Sequence, residues 1–508
     1  MRFTLTLAFL ICVVSAISAQ ATIHFDRPYH VAGEVSWFTL HPGADGPKKA
    51  RVTVQDAKGK ILDYFFLQAD ANGQMNGYYR WPFEATTGYY QITVHAFADG
   101  KANLLLATEH PVYSDQRVEA DATAALPQGT LPAAGGLSVT AQDGSLTVKG
   151  LNGDAYSVAV YNADVVGDAG NILTTADQAI TSNWVDTLFY EAAITLESGE
   201  PVQTNLLPVF DPATYTFGFS KTDANGTFNL QLGAFEGSKS LQVRSVEQLQ
   251  LEPAIQLPRA KGTMSKPPVT EAVAAYIDLA RRRRKIYQLF ATVETEVDAA
   301  AKPQMRRELS PNRDFNVQDY KAFEDMFNFF KEVGGELRVR VKKDTYRAQL
   351  YNAPNQRFFE NTPLYIVDGK LTRNSSYVNK MSPADVTYLA YFYDNRPLRR
   401  DFPALGNNGV VQIETVRPPA DFPAADAAGI FEVKGIQPPA TFQPRDAAAS
   451  EVPALSPLLL WTTGGGSPSA SVALPATDDF GKYRVVVIAR SKDGKVRAVT
   501  TELERGVK

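Results

Sequence analysis

The stretch that decides the fold of the N-terminal part is Ile23–His41, which reads IHFDRPYHVAGEVSWFTLH. Runs of β-branched and aromatic residues at Ala21–Phe25 and Val35–Leu40 flank a polar segment that contains Gly33. In Val35–Leu40 apolar and polar side chains alternate, so one face of a strand is expected to point into a core. The stretch therefore predicts two strands joined by a turn.

Five further strand-length segments follow, separated by turns rich in Gly, Pro, Asn and Asp. They are Lys49–Gln55, Ile61–Gln68, Gly77–Pro82, Tyr89–Phe97 and Leu104–Pro111. About seven short strands at this spacing are typical of a β-sandwich, which we assign to residues 20–118.

The composition is that of a globular, multi-domain protein. The 508 residues predict three to five domains at roughly 100–200 residues each. Hydrophobic residues make up 44% and charged residues 21%, which argues against wholesale disorder. The 51 basic and 55 acidic side chains give a net charge of −4, so we expect no nucleic-acid partner.

Residues 1–19 are expected to be a secretory signal peptide. Arg2 provides a positive end, Phe3–Val14 an apolar stretch, and Ile17–Ala19 a small-residue end. The apolar stretch is shorter than the ~20 residues of a transmembrane helix, so no membrane span is expected after cleavage. The only cysteine, Cys12, lies within this segment. Disulfides, thiolate metal sites and a cysteine nucleophile are therefore not expected.

The rest of the chain divides by composition and periodicity. Residues 119–136 are expected to form a linker, 137–262 a second β-sandwich, 417–457 a Pro-rich spacer and 458–508 a C-terminal β-unit. Within the second sandwich, Phe217–Leu232 predicts two strands joined by a tight hairpin turn at Asn225-Gly226.

Residues 263–416 mix helices and strands, which predicts an α+β domain. Apolar residues at helical spacing predict a helix over Val269–Val297 and a second one over Val317–Val333. Phe329 falls outside the apolar stripe of the second helix, so it is the aromatic residue that we expect to be available to a partner.

Two segments of the first predicted sandwich resemble parts of the second macroglobulin domain (MG2) of the α2-macroglobulin superfamily. In that domain a strand, a K-P-x-Y-x-x-G-E type of turn and another strand recur, and Arg27–Glu34 (RPYHVAGE) resembles the turn. Gly88–Val94 looks like its G-x-Y-x-L-x-V strand. The segment Thr222–Leu230 is similar to T-D-x-N-G-x-F turns of carboxypeptidase-regulatory-like and macroglobulin-type sandwiches.

The α+β domain resembles the plug domain of TonB-dependent outer-membrane receptors. Such plugs carry motifs of the types P-L-Y-V-V-D-G, x-P-x-D-I and N-G-V-I-x-I-x-T, which Pro363–Gly369, Ser382–Val386 and Asn408–Thr415 resemble in the same order. The combination of macroglobulin-like and plug-like domains looks like an envelope protein family of Bacteroidota.

Neither the transport activity of the receptors nor the covalent trapping of proteases by the macroglobulins is expected for this chain. A receptor barrel of ~22 strands of ~10 residues needs at least ~220 residues, and 93 (508 − 415) follow Thr415. The covalent trap of the macroglobulins needs a cysteine for its thioester. The resemblance to macroglobulins therefore implies a scaffold and its binding faces.

No catalytic, cofactor-binding or metal-ligating residue is assigned from the sequence, and no cofactor is expected. The five histidines, at positions 24, 30, 41, 95 and 110, lack the H-E-x-x-H spacing of a zinc site. There is no G-x-S-x-G or Walker A motif. The basic run Arg281–Lys285 fits either a solvated helix face paired with nearby acids or a contact with lipid phosphate or an acidic partner.

Three functions remain open at this point. The first is a non-catalytic, exported protein of the periplasm or outer membrane that binds another protein, with the plug-like domain docking to an outer-membrane barrel or complex. The second is a non-covalent endopeptidase inhibitor of macroglobulin type with its bait in residues 417–457. The third is a hydrolase, which requires a concave polar pocket. The sequence indicates neither the partner nor the oligomeric state.

Overall fold

The computed structural model describes residues 20–505 except 44, 128, 143, 168–169, 181, 246–248, 261–264 and 344. The expected signal segment, 1–19, lies outside the described residues. Strands account for 42% and helices for 12%, which confirms that the protein is mainly β. The chain divides into two compact units. Unit 1 comprises residues up to 188, 258–301 and 436 onward, and unit 2 comprises 189–257 and 302–435.

The first β-sandwich belongs to unit 1 and has two sheets. In hydrogen-bonding order, the four-stranded sheet consists of Leu173–Thr175, Thr22–Phe25, Val35–His41 and Met75–Arg80. The five-stranded sheet consists of His30–Val31, Lys101–Tyr113, Gly88–Ala98, Lys49–Gln55 and Ile61–Gln68. Their core includes Ile23, Phe38 and Val94, each at most 1% exposed. The sandwich thus has nearly the strands expected for residues 20–118, with one added from beyond that range.

The second β-sandwich of unit 1 is formed by two distant parts of the chain. Its three-stranded sheet consists of Ser469–Ala473, Ser145–Lys149 and Ser138–Gln142. Its four-stranded sheet consists of Leu458–Gly464, Ala155–Asn162, Gly481–Arg490 and Val496–Arg505. This corrects the expected division, because the strands of 458–508 complete the sheets begun at 138–162 instead of forming a separate unit. The alternation of apolar and polar residues within a strand predicts which face is buried, but it does not predict which other strand pairs with it.

The helix Glu271–Leu289, called the long helix below, belongs to unit 1. Thr270 caps it by accepting a hydrogen bond from the backbone N–H of Val273. Its buried residues Val273, Tyr276 and Ile277 are fully covered and belong to a core shared with both sandwiches. The predicted helix is confirmed within Val269–Val297. A four-residue helix, Ala163–Val166, also belongs to this unit.

Unit 2 contains the third β-sandwich. One sheet consists of Thr227–Leu232, Leu188–Thr195 and Glu252–Gln256. The other consists of Thr216–Ser220, Leu207–Asp211, Ser238–Val243 and Ile430–Lys434. The strands that flank Asn225-Gly226 therefore lie in different sheets, and the expected hydrogen-bonded hairpin is wrong. Gly226 has φ +74°, and a Cβ at this position would lie 2.4 Å from the carbonyl oxygen of Ile194, so the turn requires a glycine there.

The remainder of unit 2 is an α+β domain. Its five-stranded sheet consists of Arg313–Asn316, Val386–Phe392, Val410–Thr415, Leu364–Val367 and Lys370–Thr372. Its three-stranded sheet consists of Leu337–Lys342, Thr345–Asn352 and Arg357–Phe358. The helices of unit 2 are Met326–Glu332, Ser375–Asn379, Asn395–Asp401 and Ala424–Ala427, with 3₁₀ turns at Val317–Tyr320, Ala353–Asn355 and Pro383–Asp385. This part of unit 2 thus combines two sheets with short helices.

The helix expected over Val317–Val333 is interrupted. A 3₁₀ turn ends at Tyr320, and Asp325 caps a new helix by accepting from the N–H of Asn328. The interruption changes which side of the second helix is buried, so Phe329 is 0% exposed and packs edge-on against Phe315. Phe329 is thus a core residue, and the expectation that it is available to a partner is wrong.

The expected spacer 417–457 is only partly a spacer. Ile430–Lys434 pairs with Ser238–Val243 in the third sandwich. Gln437 exchanges two hydrogen bonds with the backbone of Tyr78, and Phe442 is buried against Trp37. In the described part of the chain, none of the helices is long and apolar enough to span a membrane.

Candidate functional site

The turn Arg27–Glu34 positions the most unusual group of side chains in unit 1. Gly33 has φ +89° there, and a Cβ at this position would lie 2.5 Å from the ring of Phe83. The N–H of Val31 donates to the Glu34 carboxylate at 2.9 Å, which closes the turn. Both charged ends of the motif, Arg27 and Glu34, are thereby turned inward and are at most 7% exposed.

Glu34 is the centre of a buried charge cluster, formed by Asp26, Arg27, Glu34, Tyr276, Arg283 and Glu294. Tyr276 Oη receives a hydrogen bond from Arg27 Nη1 at 2.7 Å and donates to Glu34 Oε1 at 2.6 Å. Arg283 Nη2 donates to Glu34 Oε1 at 3.2 Å, and its Nε lies 3.4 Å from Glu294 Oε2. The long helix is therefore joined to the turn by paired charges that are largely desolvated.

The pKa values in the cluster reflect a competition between burial and neighbouring charge. Burial disfavours ionised Glu34, but Arg27 and Arg283 outweigh it and hold the pKa of Glu34 below its usual value. Burial raises the pKa of Glu294 despite the opposing charge of Arg283. Burial also raises the pKa of Asp26 to about 6, against the opposing effect of Arg27.

Asp26, His30 and Ser36 are arranged like the acid, base and hydroxyl of a hydrolase. Asp26 Oδ1 lies 3.1 Å from His30 Nε2, and His30 Nδ1 lies 3.3 Å from Ser36 Oγ. The same Nδ1 also lies 2.8 Å from Nε2 of His110, whose ring stacks on Trp81. Each of these polar side chains is at most 1% exposed, so a substrate cannot reach Ser36 in this arrangement. The contacts of His30 Nδ1 with Ser36 and His110 link buried polar groups beneath the turn, whereas His30 Nε2 makes no hydrogen bond within the described residues.

All five histidines are buried in the first sandwich or at its border. Burial lowers the pKa of His24 and His41 to about 3 and that of His95 to about 4, and it holds those of His30 and His110 well below the usual 6.5. These imidazoles are therefore neutral at neutral pH. Within the described residues, no group of three or more His, Cys, Asp or Glu side chains is placed to hold a metal ion.

The basic run Arg281–Lys285 divides between interior and surface. Arg283 is 4% exposed and belongs to the charge cluster, and Arg284 binds Asp115 and the carbonyl oxygen of Ala32. Arg281 pairs with Asp278 one turn earlier on the helix. Pairing with acids, one of the two expected alternatives, thus accounts for these three arginines, although Arg283 is buried instead of solvated.

A second candidate is a basic cleft in unit 2, which the sequence reasoning missed. The cleft has a volume of about 580 Å³, and its charged lining residues are Arg340, Arg347, Arg373 and Glu360. Arg340 and Arg347 are exposed and lie directly opposite each other on neighbouring strands. The alternation of Arg and Val in Leu337–Lys342 was the available signal, since it places the basic residues on one face of a strand.

Arg373 lies at the wall of this cleft and is held by the backbone. It donates to the carbonyl oxygens of Thr362 at 2.8 Å and Leu405 at 2.6 Å. Burial, and to a lesser extent the charge of Arg244, lower the pKa of Arg373 to about 10. In the part of the chain that the structure describes, neither Arg340 nor Arg347 forms an ion pair. Three arginines and one glutamate line the cleft, so its lining is net positive.

Comparisons with known proteins give weak similarities. No protein-family model matches the chain, and no curated protein matches it. Among solved structures, Escherichia coli alpha-2-macroglobulin activated by porcine elastase aligns at 11% identity and a TM-score of 0.24, over 96% of this chain and 44% of that one. A Salmonella alpha-2-macroglobulin aligns at 10% identity and a TM-score of 0.25, over 97% and 40%.

A tetra-tandem repeat of a large adhesion protein aligns at 9% identity and a TM-score of 0.16. The chain spans less than half the length of the two macroglobulins. TM-scores at this level do not establish a common arrangement of domains.

Proposed function

We propose that this protein is a non-catalytic, exported envelope protein that binds another protein through unit 2, and that the bound surface is acidic. The observation that carries the proposal is the facing pair Arg340 and Arg347 in the basic cleft. Like charges directly opposite each other destabilise a sheet, typically by a few tenths of a kcal/mol up to ~1 kcal/mol. A partner carboxylate between the two guanidiniums would remove this repulsion and form charge-assisted hydrogen bonds.

The non-catalytic part of the proposal is supported by the site in unit 1. The Asp26, His30 and Ser36 side chains resemble a catalytic set in distance, yet they are enclosed by the core. A general base must reach the proton that it removes from a bound substrate. These groups serve the turn and the long helix instead.

The finer proposal is that the partner is an outer-membrane barrel or a complex that contains one. Its support is the resemblance of Pro363–Gly369, Ser382–Val386 and Asn408–Thr415 to receptor plug motifs. In unit 2 the strands Leu364–Val367 and Val410–Thr415 are parallel neighbours, so two of these three segments lie side by side. A plug-like domain on one chain and a barrel on another would make the basic cleft an inter-chain contact.

Site-specific photo-crosslinking in the native cell tests this proposal. A photoreactive residue at Thr345, which is exposed at the start of the strand that carries Arg347, should crosslink an envelope protein. The same residue at Ser138, which is exposed in unit 1, is the matched control and should not form that adduct. The double reversal Arg340→Glu/Arg347→Glu should abolish the adduct, and raised salt should weaken it because exposed charge pairs are screened.

Two results would contradict the proposal. An adduct that persists after the double charge reversal would show that the cleft does not provide the contact. Equal adducts from Thr345 and Ser138 would indicate non-specific proximity. Recovery of an outer-membrane barrel in the adduct supports the finer proposal, and recovery of a periplasmic protein with an acidic surface supports only the general one.

The second candidate function is a non-covalent endopeptidase inhibitor with its bait in residues 417–457. Residues 430–434 are paired in a sheet and Phe442 is buried, whereas many residues of 417–428 and all of 448–451 are exposed. A protease should therefore cut within 417–428 or 448–451 and be inhibited afterwards. Cleavage there that leaves the protease fully active on small and large substrates would exclude this function.

A further inference from the structure

We infer that unit 1 carries a binding site for a small organic anion, in a cleft between loops of its two sandwiches. The cleft has a volume of about 840 Å³. Its polar side chains come from His41, Asn72, Asn152, Asp154, Arg490, Ser491, Lys492 and Asp493. Ligand pockets in proteins commonly measure ~300–1,000 Å³, so a molecule the size of a sugar phosphate fits. This inference is independent of the docking surface proposed for unit 2.

Arg490 is the anchor of this site because its charge has no carboxylate partner. It is 5% exposed, and burial lowers its pKa to about 10. Its Nη1 donates to Thr22 Oγ1 at 3.1 Å and to the carbonyl oxygen of His41 at 3.2 Å, and its Nη2 donates to the carbonyl oxygen of Gln20 at 2.8 Å. A guanidinium has five N–H donors, so two remain without an acceptor among the described residues.

His41 provides the second observation. It is 3% exposed, it lines the cleft, and its Nε2 has no hydrogen-bond partner within the described structure. An unpaired buried nitrogen is costly, typically by 1–3 kcal/mol. Burial, followed by the charges of Arg490 and His24, lowers the pKa of His41 to about 3. The neutral ring can therefore donate or accept one hydrogen bond to a ligand.

The acids that line the cleft are engaged and do not neutralise Arg490. Asp154 pairs with Arg497 at 2.5 Å, and Asp493 accepts a hydrogen bond from the Ser491 hydroxyl. Lys492 is exposed at the cleft and adds a second positive charge. With Asp154 paired to Arg497, the charges left in the lining are those of Arg490 and Lys492 against that of Asp493, so one net positive charge remains and favours an oxyanion on the ligand.

The lining also defines the rest of the ligand. Exposed amide groups of Asn72 and Asn152 offer donors and acceptors suited to hydroxyl groups. Hydrolysis is not favoured, because His41 Nε2 makes no hydrogen bond to Ser491 and a base with a pKa near 3 is too weak at neutral pH. The chemistry fits a hydroxylated molecule that carries a carboxylate or a phosphate.

Calorimetric titration of the full chain with glucuronate, glucose 6-phosphate and glucose tests the inference. One or both anions should bind saturably with a dissociation constant in the millimolar range or below, and neutral glucose should not. The anion that binds more tightly identifies the oxyanion. Absence of saturable binding of both anions, or equal binding of glucose, would overturn the inference.

Variants locate the binding. Arg490→Gln removes the charge but keeps an amide donor, and it should weaken binding at least ~10-fold, as expected for a lost charge-assisted hydrogen bond. Lys492→Ala should weaken it about 2- to 5-fold, through the loss of an exposed charge. Lys495→Ala is the matched control, since Lys495 is exposed in the same turn but does not line the cleft.

One further measurement does not depend on whether the Arg490→Gln variant folds. The ¹⁵N shift of His41 Nε2, assigned by comparison with His41→Gln, should move on saturation with the anion in the otherwise native chain. If that shift does not move, or if Lys492→Ala and Lys495→Ala weaken binding equally, the anion binds elsewhere and the inference is wrong.

Discussion

Arg283 Nη2 lies 3.2 Å from Glu34 Oε1, although 249 residues separate them in the sequence. This contact joins the long helix to the turn Arg27–Glu34. Removing one member of a buried ion pair leaves the other charge uncompensated, which costs more than the pair itself contributes. The charge cluster is therefore expected to control the stability of unit 1.

Glu34→Gln should lower the free energy of unfolding of unit 1 by about 3–5 kcal/mol, because Arg27 and Arg283 lose a shared carboxylate. All four tryptophans lie in unit 1, so urea unfolding followed by tryptophan fluorescence reports on this unit. Glu294→Gln is the matched control and should cost clearly less, since burial already favours protonated Glu294. Equal losses from both variants would contradict this role of Glu34.

Acidification should destabilise unit 1 below about pH 6.5. The five histidines have lowered pKa values in the folded chain, so the unfolded chain binds protons first as the pH falls. Each adds up to ~1.4 kcal/mol of lost stability per pH unit until its folded pKa is reached. Asp26 and Asp479, whose pKa values are raised to about 6, each oppose this loss by about one proton between pH 6 and 4, and the raised pKa of Glu294 acts in the same direction.

Tryptophan-monitored unfolding between pH 7 and 4.5 measures this slope. His95→Gln should reduce the slope by the amount that corresponds to about one bound proton, since the pKa of His95 in the folded chain is about 4. If the free energy of unfolding did not change between pH 7 and 4.5, the histidines would be solvated or already charged in the folded chain.

Gly33→Ala should destabilise unit 1 more than Gly100→Ala does. Both glycines have positive φ, +89° and +75°, and an alanine there costs about 1–2 kcal/mol in backbone strain. Only at Gly33 would the added Cβ also meet a side chain, at 2.5 Å from Phe83, whereas nothing lies within 4 Å at Gly100. Thermal unfolding of the two variants measures the difference, and similar losses would show that both Phe83 and Arg284, whose Nη2 would lie 2.6 Å from the Cβ, move aside.

An engineered disulfide tests whether the two distant halves form the second sandwich. Thr147 and Ser471 are register partners on neighbouring strands, so Thr147→Cys/Ser471→Cys should oxidise readily to a crosslink. Thr140→Cys/Ser471→Cys is the control, because Thr140 is the partner of Thr147 on its other side. Two strand spacings separate that pair by roughly 9–10 Å, which is beyond the reach of a disulfide.

Electrophoresis without reductant distinguishes the two pairs. A crosslink in the control pair, or none in the test pair, would contradict the pairing of 145–149 with 469–473. The native chain contributes only Cys12, in the expected signal segment, so background oxidation is minimal.

Local features were predictable because their signals lie within a few residues. The long helix lies inside the predicted Val269–Val297, since its apolar positions repeat at helical spacing and Thr270 caps it. The interruption before Met326 was missed, because Asp325 was not recognised as a cap. The turn at Asn225-Gly226 was recognised, but its type was not, because the same residues serve a hairpin or a crossing between two sheets.

The amino-acid sequence by itself determined that the protein is mainly β, where most strands begin and end, and that the motif Arg27–Glu34 forms a turn after the first strand. Tertiary structure decided that 138–162 and 458–505 share one sandwich and that Glu34 meets Arg283. It also decided that His41 and Arg490 line one cleft. Periodicity shows which face of an element is buried, whereas the partner on that face depends on burial and charge pairing summed over the whole unit.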